Sequence, residues 1–321
     1  MKRVLVTGMG GELGTRVAQL LEARPEVGEI AGVDFVPPRR RLRRSAFRRI
    51  DPRDRDKLVD FVIEFAPTAI VHFGVYEPDA RMGPRDAGIS TTACTLAAFG
   101  AAARTGTLER LVIRSGIEVY GRGGGRPLVP DEESPLAPTT PFGRTCIEVE
   151  SSGVALGRRH DVTVSAVRMA PVVGSHAPSP LGRLLRLPAV PVPMLDDPPF
   201  SLVHPDDAAR AAVEALCRGH EGPLNVVGPG AGSPWQVVRL GGRIPVPVLG
   251  PMWAAARRVA ELAGAPVPPH VVETMCKGCA ADGRRAIEEL ELTGIRPTQQ
   301  ICAELYEWAT VTPIHASEAV A

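Results

Sequence analysis

A glycine-rich turn joins the first apolar run of the chain to the first amphipathic one. Residues 4–7 are mostly aliphatic or β-branched and predict a buried strand, whereas residues 17–21 place apolar side chains at helical spacing. Gly8, Gly11 and Gly14 permit a tight turn, a close approach of the backbone to a ligand and close packing of helix on strand. Because the free N–H groups at the start of a helix attract phosphate, this stretch predicts a site for a dinucleotide pyrophosphate.

An acidic residue follows this turn at the distance expected for ribose binding. A second strand at 30–33 ends at Asp34, which is 20 residues beyond Gly14. A carboxylate there accepts hydrogen bonds from ribose hydroxyls. Arg39 or Arg40 could instead hold the 2′-phosphate of NADP, but Asp34 would repel that phosphate. We therefore expect NAD, with NADP as the alternative.

Strands and helices alternate through the first half of the chain. A third short strand is predicted to end at 50–51, and further strands at 68–74, 110–116 and 162–169, with helices at 56–65, 90–104 and 141–159. This alternation predicts an α/β fold with a doubly wound, Rossmann-like parallel sheet.

The second half of the chain has a different pattern. Prolines crowd residues 171–199, so this segment is expected to form loops and short elements outside the central sheet. A helix at 208–217 and a strand at 224–228 follow, and then helices near 252–263, 270–279 and 299–308. We expect residues 1–169 to form a dinucleotide-binding domain and residues 170–321 mainly a smaller C-terminal substrate lobe, with about 200–228 returning to the dinucleotide-binding core.

Composition indicates a globular protein without a strong electrostatic preference. The 321 residues include 44% hydrophobic side chains and carry a formal net charge of +1, which gives no general attraction to nucleic acid or membranes. No apolar segment approaches the ~20 residues that cross a bilayer. Six scattered cysteines favour a reduced, cytoplasmic protein. Cys276 and Cys279 lack the second ligand pair of a metal site, so we expect no metal.

Seven arginines between Arg39 and Arg49 form the densest cluster of charge. A solvated loop is the simplest interpretation. Binding of RNA or another acidic surface is the alternative, but it leaves the glycine-rich turn unexplained. We therefore do not expect a nucleic-acid partner.

Several motifs along the chain together resemble one family. They are Thr7-Gly8-x-x-Gly11-x-Leu13-Gly14, Asp34, Asp51, Val71-His72-Phe73-Gly74, Val119-Tyr120-Gly121 and His204-Pro205-Asp206-Asp207-Ala208. The chain resembles the extended short-chain dehydrogenases of the NAD-dependent epimerase/dehydratase family, in particular UDP-glucose 4-epimerases. The resemblance implies a nicotinamide dinucleotide cofactor, a nucleotide sugar bound between the two lobes, and a homodimer formed through helices that begin near Ser90 and Pro141.

The resemblance also assigns the cofactor contacts. It implies that the glycines hold the pyrophosphate, that Asp34 binds the adenosine ribose and that Asp51 lies near the adenine. The expected cofactor-binding residues are Thr7, Gly8, Gly10, Gly11, Glu12, Leu13, Gly14, Asp34, Asp51, Phe73 and Gly74.

The catalytic positions of the family carry other residues in this chain. The family uses a tyrosine as acid and base, a lysine four residues later that lowers the tyrosine pKa, and a serine that orients the reacting oxygen. Phe142, Cys146 and Gly116 stand at these three positions. The only lysines are at 2, 57 and 277 and the only tyrosines at 76, 120 and 306, so no Tyr-x-x-x-Lys pair exists anywhere in the chain.

Two functions remain compatible with these substitutions. In the first, the protein binds NAD or NADP without ordinary epimerase or dehydrogenase turnover, as a pseudoenzyme that acts as a sensor or partner protein. In the second, it is an oxidoreductase, epimerase or dehydratase acting on a nucleotide sugar or related alcohol with relocated acid and base residues. Glu118, Ser115 and His72 are the candidates for that relocated chemistry. Tyr120, His176 and His204 are expected to have structural roles.

Overall fold

The computed structural model describes residues 2–79, 81–174 and 177–307, so His176 and Trp308 lie outside the described residues. In chain order the strands are β1 (Lys2–Thr7), β2 (Val27–Asp34), β3 (Ser45–Arg49), β4 (Ala69–His72), β5 (Arg110–Gly116), β6 (Thr163–Met169), β7 (Ala189–Pro193), β8 (Gly222–Val226) and β9 (Ile244–Val248). The helices are α1 (Glu12–Glu22), α2 (Arg55–Phe65), α3 (Pro84–Thr105), α4 (Pro141–His160), α5 (Pro180–Leu185), α6 (Pro205–Arg218), α7 (Pro234–Leu240), α8 (Trp253–Leu262), α9 (Pro269–Lys277), α10 (Arg284–Glu289) and α11 (Thr298–Glu307).

Seven parallel strands form the central sheet in the order β3-β2-β1-β4-β5-β6-β8. The strand order reverses between β1 and β4, which is the place where ligands bind in sheets of this type. β1 and β4 are buried almost throughout because helices cover both faces of the sheet. The predicted α/β fold with a doubly wound parallel sheet is confirmed.

The late segment 205–226 lies against this sheet. α6 packs on α1, and β8 pairs in parallel with β6, so this part of the chain extends the central core. The alanines of α6 bring the two helices close together, since Ala208, Ala211, Ala212 and Ala215 are buried.

The proline-rich stretch stays outside the central sheet, as predicted. β7 pairs only with β9, in a separate parallel ribbon where prolines alternate with valines along both strands. Proline removes a hydrogen-bond donor, and a ribbon with two edges tolerates this loss better than a central strand. Within the described residues, no helix is long and apolar enough to cross a membrane.

The solvated loop predicted at 39–49 is wrong for its second half. Residues 45–49 form the edge strand β3, which pairs with β2 in register from Ile30–Ser45 to Asp34–Arg49. Phe47 packs against the core, and the Arg48 guanidinium lies 4.8 Å from the centroid of the Phe61 ring. The third strand, predicted to end at 50–51, is thus present as β3 and ends at Arg49, and its arginines lie on an exposed edge that charge protects from pairing.

Candidate functional site

The glycine-rich turn lies at the reversal of strand order. Gly8 has a φ of +71°, and its N–H donates to the Val33 carbonyl at 2.9 Å. A Cβ at Gly8 would lie closer than 3.0 Å to the Phe73 carbonyl, and one at Gly14 would lie equally close to the Gly8 carbonyl. Gly10 is confined in the same way by the Val36 carbonyl. The turn therefore holds bare backbone at the N-terminus of α1, as binding of a pyrophosphate requires.

Asp34 ends β2 beside this turn. Its Oδ2 accepts from the Gly10 N–H at 3.0 Å and its Oδ1 accepts from the Phe35 N–H at 2.7 Å. Only 3% of the residue is exposed. Burial raises the pKa of Asp34 to about 6, even though these N–H donors favour the ionised form. The carboxylate lines the cleft and retains acceptor capacity for ribose hydroxyls.

Three of the remaining expected cofactor residues support the turn from β1 and β4. The Thr7 hydroxyl accepts from the Gly74 N–H at 3.1 Å, which ties the ends of the two strands together. Phe73 lies in the cleft wall, where only 4% of it is exposed. A Cβ at Gly74 would collide with the Cys94 sulfur. The backbone after β4 therefore packs so closely against its neighbours that position 74 has no room for a side chain.

Glu12 and Leu13 line the cleft at the first turn of α1. The Glu12 carboxylate accepts from Arg16 at 2.8 Å and from Arg40 at 3.2 Å. These two arginines offset a negative charge that stands where a pyrophosphate would bind. Arg39 lines the same cleft.

Asp51 is not among the residues that line the cleft. It is exposed, and its carboxylate accepts from the Arg53 backbone N–H at 2.9 Å and from the Arg53 guanidinium at 3.3 Å. These contacts hold the loop before α2. The structure gives Asp51 no direct contact with the glycine-rich turn or with Asp34 among the hydrogen bonds of the described residues.

His72 does not reach the cleft, contrary to its proposal as an acid or base. The ring is fully buried, with Nδ1 2.9 Å from the Thr7 hydroxyl and Nε2 2.9 Å from the Thr95 hydroxyl. Phe99 packs edge-on against it at 4.8 Å. Burial lowers the pKa of His72 to about 3. A neutral ring with both nitrogens engaged holds β1, β4 and α3 together.

Ser115 also turns away from the cleft, into a buried polar network. Its hydroxyl donates to Glu150, whose carboxylate forms a two-point ion pair with Arg168 at 3.0 and 2.8 Å. Arg168 also donates to the Tyr120 hydroxyl at 3.0 Å, and that hydroxyl donates to Asn225 at 2.7 Å. Such a network joins β5, β6, β8 and α4, which is a structural role for Ser115 and Tyr120.

Glu118 is the remaining catalytic candidate, and it lies beside Gly116. A Cβ at Gly116 would lie closer than 3.0 Å to the Glu118 carboxylate, so the carboxylate occupies the space that a serine would need. Burial raises the pKa of Glu118. The side chain is 7% exposed. Glu118 therefore combines a raised pKa with very limited solvent access.

Phe142 and Cys146 occupy the first two turns of α4. The Phe142 ring is 7% exposed and packs 4.9 Å from the imidazole of His270 on α9. Cys146 is fully buried, and burial raises the pKa of its thiol above the usual range. Neither side chain supplies a proton donor or a fixed cation to the cleft at neutral pH.

A charged cluster beside Phe142 was not predicted from the sequence. Glu77, after β4, pairs with Arg114 on β5 at 3.1 Å and with His270 at 3.2 Å. Burial opposes ionisation of Glu77, but its contacts with His270 and Arg114 hold its pKa below the usual value. Glu77 and Arg114 line the cleft. Arg114 and His270 are 37 and 193 positions from Glu77 in the sequence, so no local pattern could have grouped the three residues.

The arginine run serves the structure around α1. Arg44 donates to five backbone carbonyls near the C-terminus of α1, at Leu21, Glu22, Arg24, Val27 and Gly28. The Glu22 carboxylate accepts from the backbone N–H groups of Arg43, Arg44 and Ser45. These contacts account for part of the run without an acidic ligand.

Comparisons with known proteins agree with this architecture. A family model described as the NAD dependent epimerase/dehydratase family matches residues 4–228. An uncharacterised protein of Mycobacterium tuberculosis is 31% identical over 272 residues, which cover 79% of this chain and 69% of that protein.

Solved structures show the same fold. MoeE5 in complex with UDP-glucuronic acid and NAD is 23% identical, with a TM-score of 0.71 over 95% of this chain and 98% of that chain. UDP-glucose-4-epimerase from Stenotrophomonas maltophila, with bound NAD and formylated UDP-arabinopyranose, is 20% identical with a TM-score of 0.72 over 96% of this chain and 98% of that chain. On the extent of the family match and the identity to the mycobacterial protein, the chain belongs to the NAD-dependent epimerase/dehydratase family.

Proposed function

We propose that this protein binds NAD and acts as a sensor or partner protein, without the ordinary epimerase or dehydrogenase turnover of its family. The observation that carries the proposal is Phe142, which packs on His270 at the position where the family resemblance places the tyrosine. A phenyl ring has no proton to exchange with a sugar hydroxyl. We therefore expect the cleft to bind the cofactor without catalysing the family's reaction.

The glycine-rich turn and Asp34 support NAD as the ligand. The turn offers backbone N–H groups at the start of α1, and Asp34 lies beside it as a ribose acceptor. The Asp34 carboxylate would repel the 2′-phosphate of NADP. MoeE5 and the Stenotrophomonas maltophila epimerase, which have the same fold, were both solved with NAD.

The neighbouring substitutions support the loss of turnover. Cys146 places a buried neutral thiol where the family has lysine, and the Glu118 carboxylate occupies the space next to Gly116. Removing a general acid and base alone costs about 10²- to 10⁴-fold in rate. We therefore expect bound NAD to remain oxidised in the presence of a nucleotide sugar.

Binding and turnover can be measured separately. Calorimetry with NAD and NADP measures binding. Turnover is measured from the near-ultraviolet absorbance of reduced nicotinamide in the presence of UDP-glucose or UDP-glucuronic acid. We expect NAD binding, weaker NADP binding and no reduced cofactor or epimerised sugar. Turnover of either sugar would contradict the proposal, and a wild-type protein that binds no dinucleotide would remove its basis.

The raised pKa of Glu118 supports an alternative, in which this residue supplies the proton for a nucleotide sugar. Glu118→Gln tests this alternative, with Ser115→Ala as the control because Ser115 faces the structural network. Wild-type turnover that Glu118→Gln abolishes and Ser115→Ala preserves would favour relocated chemistry. Equal loss in both variants would instead indicate damage to the shared core.

We also propose that the protein is a cytoplasmic homodimer that pairs through α3 and α4. These helices pack against each other and expose apolar side chains, with Leu96 63% and Val154 43% exposed. All six cysteines are unpaired, which supports a reducing compartment.

A further inference from the structure

The two halves of the cleft differ in what they offer a ligand. In a doubly wound fold, one half of a dinucleotide lies over β1 to β3 and the other over β4 to β6. The first half contains Asp34 and the glycine-rich turn, in which the Gly11 N–H donates to the Gly8 carbonyl at 3.1 Å. This half provides both a phosphate site and a ribose acceptor.

The second half is crossed by side chains that bind each other. Arg114 rises from β5 and donates to the Val75 carbonyl at 2.8 Å and to Glu77 at 3.1 Å. Glu77 also contacts His270 at 3.2 Å, and the His270 ring packs against Phe142. Because His270 belongs to α9, these contacts join the second half of the cleft to the C-terminal lobe.

Other polar groups at the ends of these strands already have partners. Both ring nitrogens of His72 contact threonine hydroxyls, and the Ser115 hydroxyl donates to Glu150. Glu118 is buried, and its carboxylate fills the space beside Gly116. His72 and Ser115 therefore offer no hydrogen-bonding group to a carboxamide or a second ribose in the cleft.

The cleft is small for a whole dinucleotide. Its volume is about 190 Å³. Sites for small organic ligands commonly enclose roughly 300–1,000 Å³. The cleft opens to solvent, and residues of both halves line it, among them Gly8, Asp34, Glu77 and Arg114. A whole dinucleotide exceeds this volume, so part of it must extend toward solvent or displace the Glu77–Arg114 pair.

We propose that the cleft recognises the adenosine diphosphate half of its ligand and not the nicotinamide half, so ADP-ribose and ADP bind about as well as NAD. This inference rests on the proposed function, because it assigns the affinity for NAD to part of the molecule. Separating Glu77 from Arg114 would break a partly buried ion pair, which is costly even though Glu77 keeps its contact with His270 and Arg114 keeps its contact with the Val75 carbonyl. The nicotinamide riboside consequently stays outside and adds no affinity.

Calorimetry of the full chain with ADP, ADP-ribose and NAD tests the proposal. A difference of tenfold in affinity corresponds to about 1.4 kcal/mol. We expect the dissociation constants of ADP-ribose and NAD to agree within about threefold, because the parts by which they differ make no protein contact. NAD binding that is about tenfold or more tighter than ADP-ribose binding would overturn the inference but leave the proposed function intact.

A second measurement locates the contact on the ligand. In saturation-transfer NMR with NAD, we expect strong transfer to the adenine protons and little to the nicotinamide protons. Equal transfer to both rings would contradict the inference. If none of the three nucleotides binds, both the inference and the proposed function fail, which distinguishes that result from failure of the inference alone.

Two variants provide matched controls. Asp34→Ala should weaken ADP, ADP-ribose and NAD by the same factor, because all three share the adenosine ribose. Arg114→Ala removes the Glu77–Arg114 ion pair from the second half of the cleft. The affinity for ADP should stay unchanged, whereas NAD should now bind more tightly than ADP-ribose. Loss of NAD binding alone in Arg114→Ala would mean that Arg114 holds the nicotinamide half, which would overturn the inference.

Discussion

Gly8 and Gly11 belong to one turn but differ in their tolerance of a side chain. Gly8 has a positive φ, and a Cβ there would lie closer than 3.0 Å to the Phe73 carbonyl. Gly11 has a φ of −69°, and a Cβ there would lie 3.3 Å from the Gly8 carbonyl. The first glycine is thus required by the fold, whereas the second chiefly leaves room for a ligand.

Alanine substitutions should separate these two roles. Gly8→Ala should reduce the free energy of unfolding by about 2–4 kcal/mol, from backbone strain and overpacking. Gly11→Ala should cost about 1 kcal/mol or less, because a shift of a few tenths of an ångström relieves its contact. Urea denaturation measures both values. Equal losses of stability would contradict the distinction.

Asp34 should make NAD binding depend on pH. Its pKa is raised to about 6 by burial, so the carboxyl is protonated below that pH and loses its charge as an acceptor for ribose hydroxyls. Affinity should therefore be constant above pH 7 and fall by up to about tenfold at about pH 5. Calorimetry at several pH values measures the profile.

Asp34→Asn provides the control for this pH profile. The amide does not ionise, so the variant should bind NAD more weakly at neutral pH, with little change between about pH 5 and 7. A variant that kept the wild-type pH dependence would assign the effect to another group.

At the scale of elements, α1 is held at both ends by arginine side chains. Glu12 and Arg16 connect its first turn to neighbouring arginine and aspartate side chains. At its other end, Arg44 donates hydrogen bonds to several backbone carbonyls. A guanidinium suits this position because its planar array of donors reaches several carbonyls at once and its charge is favourable at a helix C-terminus.

Arg44→Ala should lower the free energy of unfolding by about 1–2 kcal/mol, because several carbonyls lose a charged donor. Arg44→Lys should recover less than half of this loss, since an ammonium is a compact charge without the planar array. Arg43→Ala is the matched control, because the contact of Arg43 with Glu22 uses its backbone N–H. Thermal and urea denaturation measure the series, and equal effects at 43 and 44 would contradict the capping role.

At the scale of the whole molecule, residues 278–282 after α9 are joined to the sheet beside the cleft. Arg122 extends across from the end of β5, donating to the Gly278 and Ala280 carbonyls and to the Cys279 sulfur. Asn225 on β8 donates to the Asp282 carbonyl at 3.0 Å. These contacts fix α9 over Phe142, so the substituted catalytic position and the lobe interface form one packed unit.

The proposed dimer can be tested at Leu96. Light scattering of the wild type should give twice the mass of one 34.1 kDa chain. Leu96→Glu should shift the mass toward the monomer, because a charge at an apolar interface is desolvated without a partner. Leu262→Glu is the control, since Leu262 is 90% exposed on α8, away from α3 and α4. A monomeric wild type would remove the dimer proposal.

The sheet could be predicted from the sequence because its signals are local. Buried strands alternate with helices, and the glycines of the turn are needed for backbone geometry within a few residues, so periodicity and spacing identified both. Phe142 and Cys146 could be recognised as substitutions only through the family resemblance, which places a tyrosine and a lysine four residues apart on this helix. β3 was partly missed because exposed arginines on an edge strand conceal its apolar contact at Phe47.

Only the tertiary structure decided which polar groups face the cleft. His72 and Ser115 carry suitable chemistry, but the packing of α3 and α4 directs them into buried contacts. Glu77, Arg114 and His270 meet although they come from three distant segments. A sequence specifies local conformation through short-range sterics and hydrogen bonding, whereas the direction and partners of a side chain depend on residues that folding alone brings together.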